Sequence, residues 1–69
     1  MEFKDKMKYL RTKHGYTQTE LASRIGVTQP ALCAYESGDA IPSIENGLKL
    51  ARIFDVTLDD LVNNEKNII

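Results

Sequence analysis

Little in this chain can do covalent chemistry: it holds one cysteine, Cys33, and one histidine, His14. A lone cysteine forms no internal disulfide and no cysteine metal cluster, so stability must come from packing, and a reducing compartment suits it. With one imidazole, one thiol and scattered carboxylates, no nucleophile, base and orienter stand together, and no cofactor or metal site suggests itself, so an enzyme is not expected. The chain also lacks any apolar run as long as a membrane span, and its start, MEFKDKMKYL, lacks the apolar stretch of a signal peptide; a soluble, cytoplasmic protein is the expectation. Repeats, low-complexity tracts and long linkers are absent too. Residues 1–69 are therefore expected to form one small domain, just large enough to bury a single core with 42% hydrophobic content.

Positive charge is scarce as well, at a formal net charge of −1, but it is unevenly spread. Residues 1–37 carry Lys4, Lys6, Lys8, Arg11, Lys13 and Arg24 against Glu2, Asp5, Glu20 and Glu36, a surplus of two cations. Residues 38–69 carry Lys49, Arg52 and Lys66 against Asp39, Glu45, Asp55, Asp59, Asp60 and Glu65, a surplus of three anions. A polyanionic partner would meet the first half and avoid the second.

What is present is a pair of short amphipathic helices within residues 17–37, TQTELASRIGVTQPALCAYES. Thr17 and Glu20 have the spacing of a capping box, and Tyr16 and Leu21 that of a hydrophobic staple, so the helix start is well determined. Leu21, Ala22 and Ile25 share one face, while Gln18, Thr19, Ser23 and Arg24 fall away from it. Gly26 ends this helix because it reaches positive φ without a Cβ penalty. Thr28 is the next cap, and Pro30 lies in the first turn, where its missing N–H has no intrahelical partner to lose. Leu32 and Tyr35 face inward, and Gly38 ends the second helix. Ala22 is small where two steeply crossing helices come closest, although alanine is also simply a good helix former. Two helices joined by so tight a turn are the outline of a DNA-reading helix-turn-helix.

Outside that unit, a first helix is predicted over residues 3–13, burying Phe3, Met7 and Leu10, with His14-Gly15 as its end. A fourth helix starts near Ser43, after Pro42. Its expected buried stripe is Ile44, Leu48 and Ala51, extended by Phe54, with Leu50 and Ile53 on a second stripe that needs a cover. Thr57 and Asp60 form another cap-like pair, so Leu58 to Val62 reads as a short fifth helix supplying that cover through Leu58, Leu61 and Val62. Residues 63–69 are expected to fray.

The sequence resembles the helix-turn-helix family of lambdoid phage Cro and repressor proteins and the small bacterial regulators like them. The likeness runs through Leu10-Arg11, Gly15, Thr17-Gln18-Thr19-Glu20-Leu21-Ala22, Ile25-Gly26-Val27-Thr28, Tyr35-Glu36-Ser37-Gly38, Pro42 and Val56-Thr57-Leu58-Asp59-Asp60-Leu61. It implies an all-α, compact, five-helix lambda-repressor-like domain that binds double-stranded operator DNA, usually as a symmetric homodimer, and regulates transcription.

In such a protein the second helix of the motif presents side chains to base edges while its neighbour and the loops set the register on phosphate. Gln29, at the start of that helix, is the leading reader, because its carboxamide matches N6 and N7 of adenine; the bland alternative is an uncommitted surface glutamine. Pro30, Cys33 and Ala34 offer apolar or weakly polar contact, for which a thymine methyl is the natural target. An oxidisable thiol at this face would make Cys33 a redox switch, yet no neighbouring base or second cysteine supports that. Thr17 and Thr28 are candidate phosphate donors at helix starts, joined by Ser37 and Ser43. By resemblance, Gln18 touches phosphate through its backbone N–H and helps position the reader. Arg11 and Glu36 match a pair that in the family bridges the first helix to the end of the recognition helix, the alternative being two unrelated surface charges. One departure stands out: Gly38-Asp39-Ala40-Ile41-Pro42-Ser43 carries Asp39 where relatives often place Lys or Arg.

The resemblance also places the dimer contact at the fifth helix and the turn before it, here Val56, Leu58, Leu61 and Val62. The same four residues would otherwise simply finish the monomer core. Ile68 and Ile69 are open between extending that contact and having no fixed place. The reading from sequence is thus a dimeric repressor on a palindromic operator, and its rival is an antitoxin, immunity or adaptor protein acting mainly through a protein partner.

Overall fold

A computed structural model describes residues 2–62 of the chain. Over that range the backbone forms five helices and no strand: α1 (Phe3–Lys13), α2 (Gln18–Ile25), α3 (Gln29–Ser37), α4 (Ile44–Phe54) and α5 (Leu58–Val62). The tail expected to fray, with Ile68 and Ile69, lies outside the described residues.

Local chemistry fixes the helix ends. The Thr17 hydroxyl accepts from the Glu20 N–H at 3.1 Å while the Glu20 carboxylate accepts from the Thr17 N–H at 2.8 Å, a complete capping box. Caps of this kind contribute about 0.5–2 kcal/mol each. Thr28, Ser43 and Thr57 cap α3, α4 and α5 in the same way, accepting from Ala31, Asn46 and Asp60. Gly26 closes α2 in the left-handed region at φ 76°, letting the Val27 N–H reach back to the Ala22 carbonyl at 3.0 Å. Tyr16 packs against the core beside the start of α2, its ring 5.2 Å from the Arg24 guanidinium.

All five helices feed one core. Met7 and Leu10 from α1, Leu21, Ala22 and Ile25 from α2, and Leu32 and Tyr35 from α3 meet Leu50, Ala51 and Phe54 from α4 and Leu61 from α5. Among the described residues α3 packs on both α1 and α2, and α5 on α1 and α4. Phe3, expected inside, is only half-buried at the edge of this core.

The α4 stripe differs from expectation. Gly47, Leu50, Ala51 and Phe54 are buried, at i, i+3, i+4 and i+7, whereas Ile44 and Leu48 are exposed. The cause is Gly47: with no side chain it lets α5 approach so closely that an added Cβ would lie 3.2 Å from Leu58 Cδ1. That contact turns the Leu50 side of α4 into the molecule. Ile44, in the first turn, is left outside the cover that α5 provides, and Leu48 lies on the flank.

Candidate nucleic-acid interface

The turn at Gly26 sets α2 and α3 so that their first residues, Gln18 and Gln29, meet. The Gln29 Nε2 donates to Gln18 Oε1 at 2.7 Å, and the Gln18 Nε2 donates to Glu36 Oε1 at 3.0 Å. Glu36 also holds Arg11, accepting from its Nε at 2.6 Å and from a terminal nitrogen at 3.1 Å. The other terminal nitrogen of Arg11 donates to the Tyr16 carbonyl at 2.8 Å. One connected set of polar groups therefore runs from α1 through the end of α3 to the starts of α2 and α3. The Arg11 and Glu36 side chains are 12% and 4% exposed, so the pair is a desolvated one that ties α3 to α1.

Beside Gln29, the outer face of α3 presents Pro30, Cys33 and Ser37 to solvent, with Ala34 half-buried. The hydroxyls of Thr17, Thr28 and Ser43 accept from their own helices and keep a hydrogen for a further acceptor. Ser37 is more committed: its hydroxyl donates to the Ala34 carbonyl and accepts from the Asp39 N–H. Among the described residues no cluster of three or more His, Cys, Asp or Glu is placed to hold a metal ion.

The apolar set considered for a dimer contact is split by the fold. Leu61 is fully buried and belongs to the core of the monomer, correcting its place in that set: α5 packs on α1 and α4, and its Leu61 side chain is closed off from solvent and from any partner. Val56 and Leu58 are half-buried against the core, and Val62 stays exposed. Leu58 and Val62 line an open apolar groove of about 330 Å³ with Phe3, Ile41, Pro42 and Ile44. Sequence reasoning missed two of these residues: Ile41 is 79% exposed and Ile44 is 76% exposed. The available signal was Ile41, an apolar residue in a loop with no helical period to bury it.

The family model described as Helix-turn-helix matches residues 7–61, which span all but the first turn of α1 and the end of α5. The chain belongs to that family. More particularly, it is of the Cro/repressor type that its motifs resemble. Two relatives carry names of HTH-type transcriptional proteins. The chain is 38% identical over 58 residues to the uncharacterized HTH-type transcriptional regulator YgzD of Bacillus subtilis, covering 84% of this chain and 88% of that protein. It is 37% identical over 66 residues to the HTH-type transcriptional activator BcrR of Enterococcus faecalis, covering 96% of this chain but only 32% of that protein. This helix-turn-helix chain thus spans about a third of the length of BcrR. Among solved structures, the master regulator for biofilm formation SinR in complex with DNA superposes with a TM-score of 0.77 at 30% identity, covering 86% of this chain and 95% of that one. The family is one of transcriptional regulators and not a class of enzymes, and no helix among the described residues is long and apolar enough to cross a membrane.

Proposed function

We propose that this helix-turn-helix regulator binds duplex DNA sequence-specifically, as a homodimeric repressor that reads a palindromic operator through the major groove. The observation that carries the reading is the pairing of Gln18 with Gln29 at the shared start of α2 and α3. It holds a carboxamide at the exposed tip of a helix whose outer face is otherwise small and free of charge. An α-helix presented in this way fits the major groove, and a fixed carboxamide matches the adenine edge. Pro30, Cys33 and Ala34 extend that face as apolar neighbours of thymine methyls. Thr17, Gln18, Thr28 and Ser43 offer hydroxyls and helix-start N–H groups to phosphate, with Ser37 contributing less because its hydroxyl serves its own helix.

The second copy is argued from the groove. Val62, Leu58 and Ile44, with Ile41 and Phe3, leave a continuous apolar surface that an isolated monomer exposes to water, and a two-fold pair buries it against itself. The same surface supports a second reading, a protein partner on this face in place of another copy, and the oligomeric state separates the two.

Selection of binding sites from a random duplex pool at two salt concentrations tests the proposal. The expected result is a two-fold symmetric motif whose half-sites lie about one helical turn apart, weakened by salt. No enrichment even at low salt would refute it.

A further inference from the structure

We infer that Lys4, from the first turn of α1, is the phosphate contact at the far end of the reading helix, held in place across Gly38. The inference rests on the proposed binding of duplex DNA through α3, and goes beyond it by assigning a backbone cation that neither the helix-turn-helix motif nor its spacing singles out.

Phosphate meets the two ends of α3 differently. At its start, where Thr28 caps the helix, the first N–H groups have no intrahelical partners and attract an anion. At its far end the backbone carbonyls gather, and an anion is repelled. The last turn of α3 carries no basic residue, Glu36 is already matched by Arg11, and exposed Asp39 adds a negative charge just past the helix. The loop is wound tightly there, since the Ala34 carbonyl accepts from the N–H groups of Gly38, Asp39 and Ala40 at 3.1, 3.0 and 3.2 Å. A duplex lying along the outer face of α3 would be drawn to one end and pushed from the other, unless a cation from another element covers the second.

Lys4 is that cation. An ideal Cβ on Gly38 would lie 2.9 Å from Lys4 Cδ and 3.7 Å from Lys4 Cε, so the lysine stem runs over the residue that ends α3. Glycine serves twice at this position: its φ is 90°, and a side chain would take the space of the stem. The methylenes are packed while the residue as a whole stays exposed, an arrangement that covers apolar surface and leaves the ammonium in water. Among the described residues that ammonium enters no hydrogen bond or ion pair, although Glu2 lines the same hollow, Asp5 follows on α1 and Asp39 follows Gly38. A positioned, unmatched cation thus stands next to Ser37, the last exposed residue on the outer face of α3, where the helix end would otherwise repel the DNA backbone.

The same charge would favour the C-terminal end of α3 without any DNA, so melting alone does not separate a phosphate contact from a structural role. Salt dependence does. Lys4→Met keeps an unbranched stem over Gly38 and removes the charge, Lys4→Arg keeps a charge, and Lys49→Met removes an equal charge from α4 as a control for net charge. The 69-residue chain and these variants, each checked for a cooperative melt, are titrated over a series of salt concentrations against the duplex selected by the wild type and against an unrelated duplex. Lys4→Met is expected to lower the slope of log Kobs against log salt by about 0.9 for each copy bound, or about 1.8 for a two-fold pair, and to weaken binding to both duplexes by a similar factor. Lys4→Arg and Lys49→Met are expected to keep the wild-type slope. A Lys4→Met protein with the wild-type slope overturns the inference and leaves Lys4 a structural residue. Equal loss of slope in Lys49→Met overturns it in favour of net charge, and equal loss in Lys4→Arg overturns it because charge is then not what was removed. A wild type that binds neither duplex at low salt refutes the underlying DNA reading, a result distinct from failure of the Lys4 contact.

Discussion

At the scale of single residues, the site depends on groups that do one thing each. Gly26 supplies a backbone conformation and nothing else: it sits at φ 76°, and a Cβ placed there would meet no atom within 4 Å. Gly26→Ala therefore costs only the left-handed penalty, about 1–2 kcal/mol. In a domain of this size each kcal/mol lowers the melting temperature by about 4–8 °C, which calorimetry or circular dichroism would read. This position was legible in the sequence because the need is local: a helix cap followed by a second cap leaves one residue to turn the chain. The Thr17 and Glu20 capping box was legible for the same reason. The contact of Gln18 with Glu36 was not, since the two are 18 residues apart and meet only because α3 crosses α2 and α1 as it does. Spacing along one helix predicts neighbours on that helix and says nothing of such a crossing.

At the scale of elements, α4 shows where a hydrophobic pattern misleads. Ile44, Leu48 and Ala51 read as a stripe, yet the helix buries Gly47, Leu50, Ala51 and Phe54. A pattern counts side chains, and glycine has none, so the residue that allows the closest approach of α5 is invisible to it. Two substitutions measure the difference. Leu50→Ala, at a fully buried position, is expected to cost about 2–5 kcal/mol, as large-to-small changes in a core do. Leu48→Ala, on the exposed flank, is expected to stay within about 0.5 kcal/mol. Equal losses in urea denaturation would restore the pattern-based stripe. The helix spans themselves were legible, because α2, α3, α4 and α5 each start on a side-chain cap, α1 carries the Phe3, Met7 and Leu10 spacing, and α1, α2, α3 and α4 end at or beside a residue that leaves the helix readily.

At the scale of the whole molecule, the outward apolar residues and the connected polar groups share only α1, at its opposite ends. The polar groups join the end of α1 to α2 and α3, and the groove joins the start of α1, the loop after α3, the start of α4 and α5. Pairing through the groove would leave the outer face of α3 free on both copies, as a symmetric operator requires. Ile44→Glu places a charge in the groove without touching the core. It is expected to convert a concentration-dependent dimer into a monomer in sedimentation equilibrium, with folding stability changed by no more than about 0.5 kcal/mol. A wild type that is monomeric at every concentration would give the groove to a different protein. The charge distribution acts at this scale as well. The two-cation surplus lies in residues 1–37, the part of the chain that includes α3, and Asp39 replaces a cation that relatives often place in the following loop. On the proposed DNA reading, phosphate attraction is expected to be modest, so that two half-sites matter more than one.

The central claim is that Gln29 reads a base from the tip of α3. It is tested most directly by titrating the wild type and Gln29→Ala, at two salt concentrations, against the selected duplex and a duplex changed at one symmetric base pair per half-site. The account predicts that the wild type loses about 1–3 kcal/mol per half-site on that change, that Gln29→Ala is indifferent to it, and that both proteins show the same salt slope. Equal sensitivity of the two proteins at every base pair would contradict it.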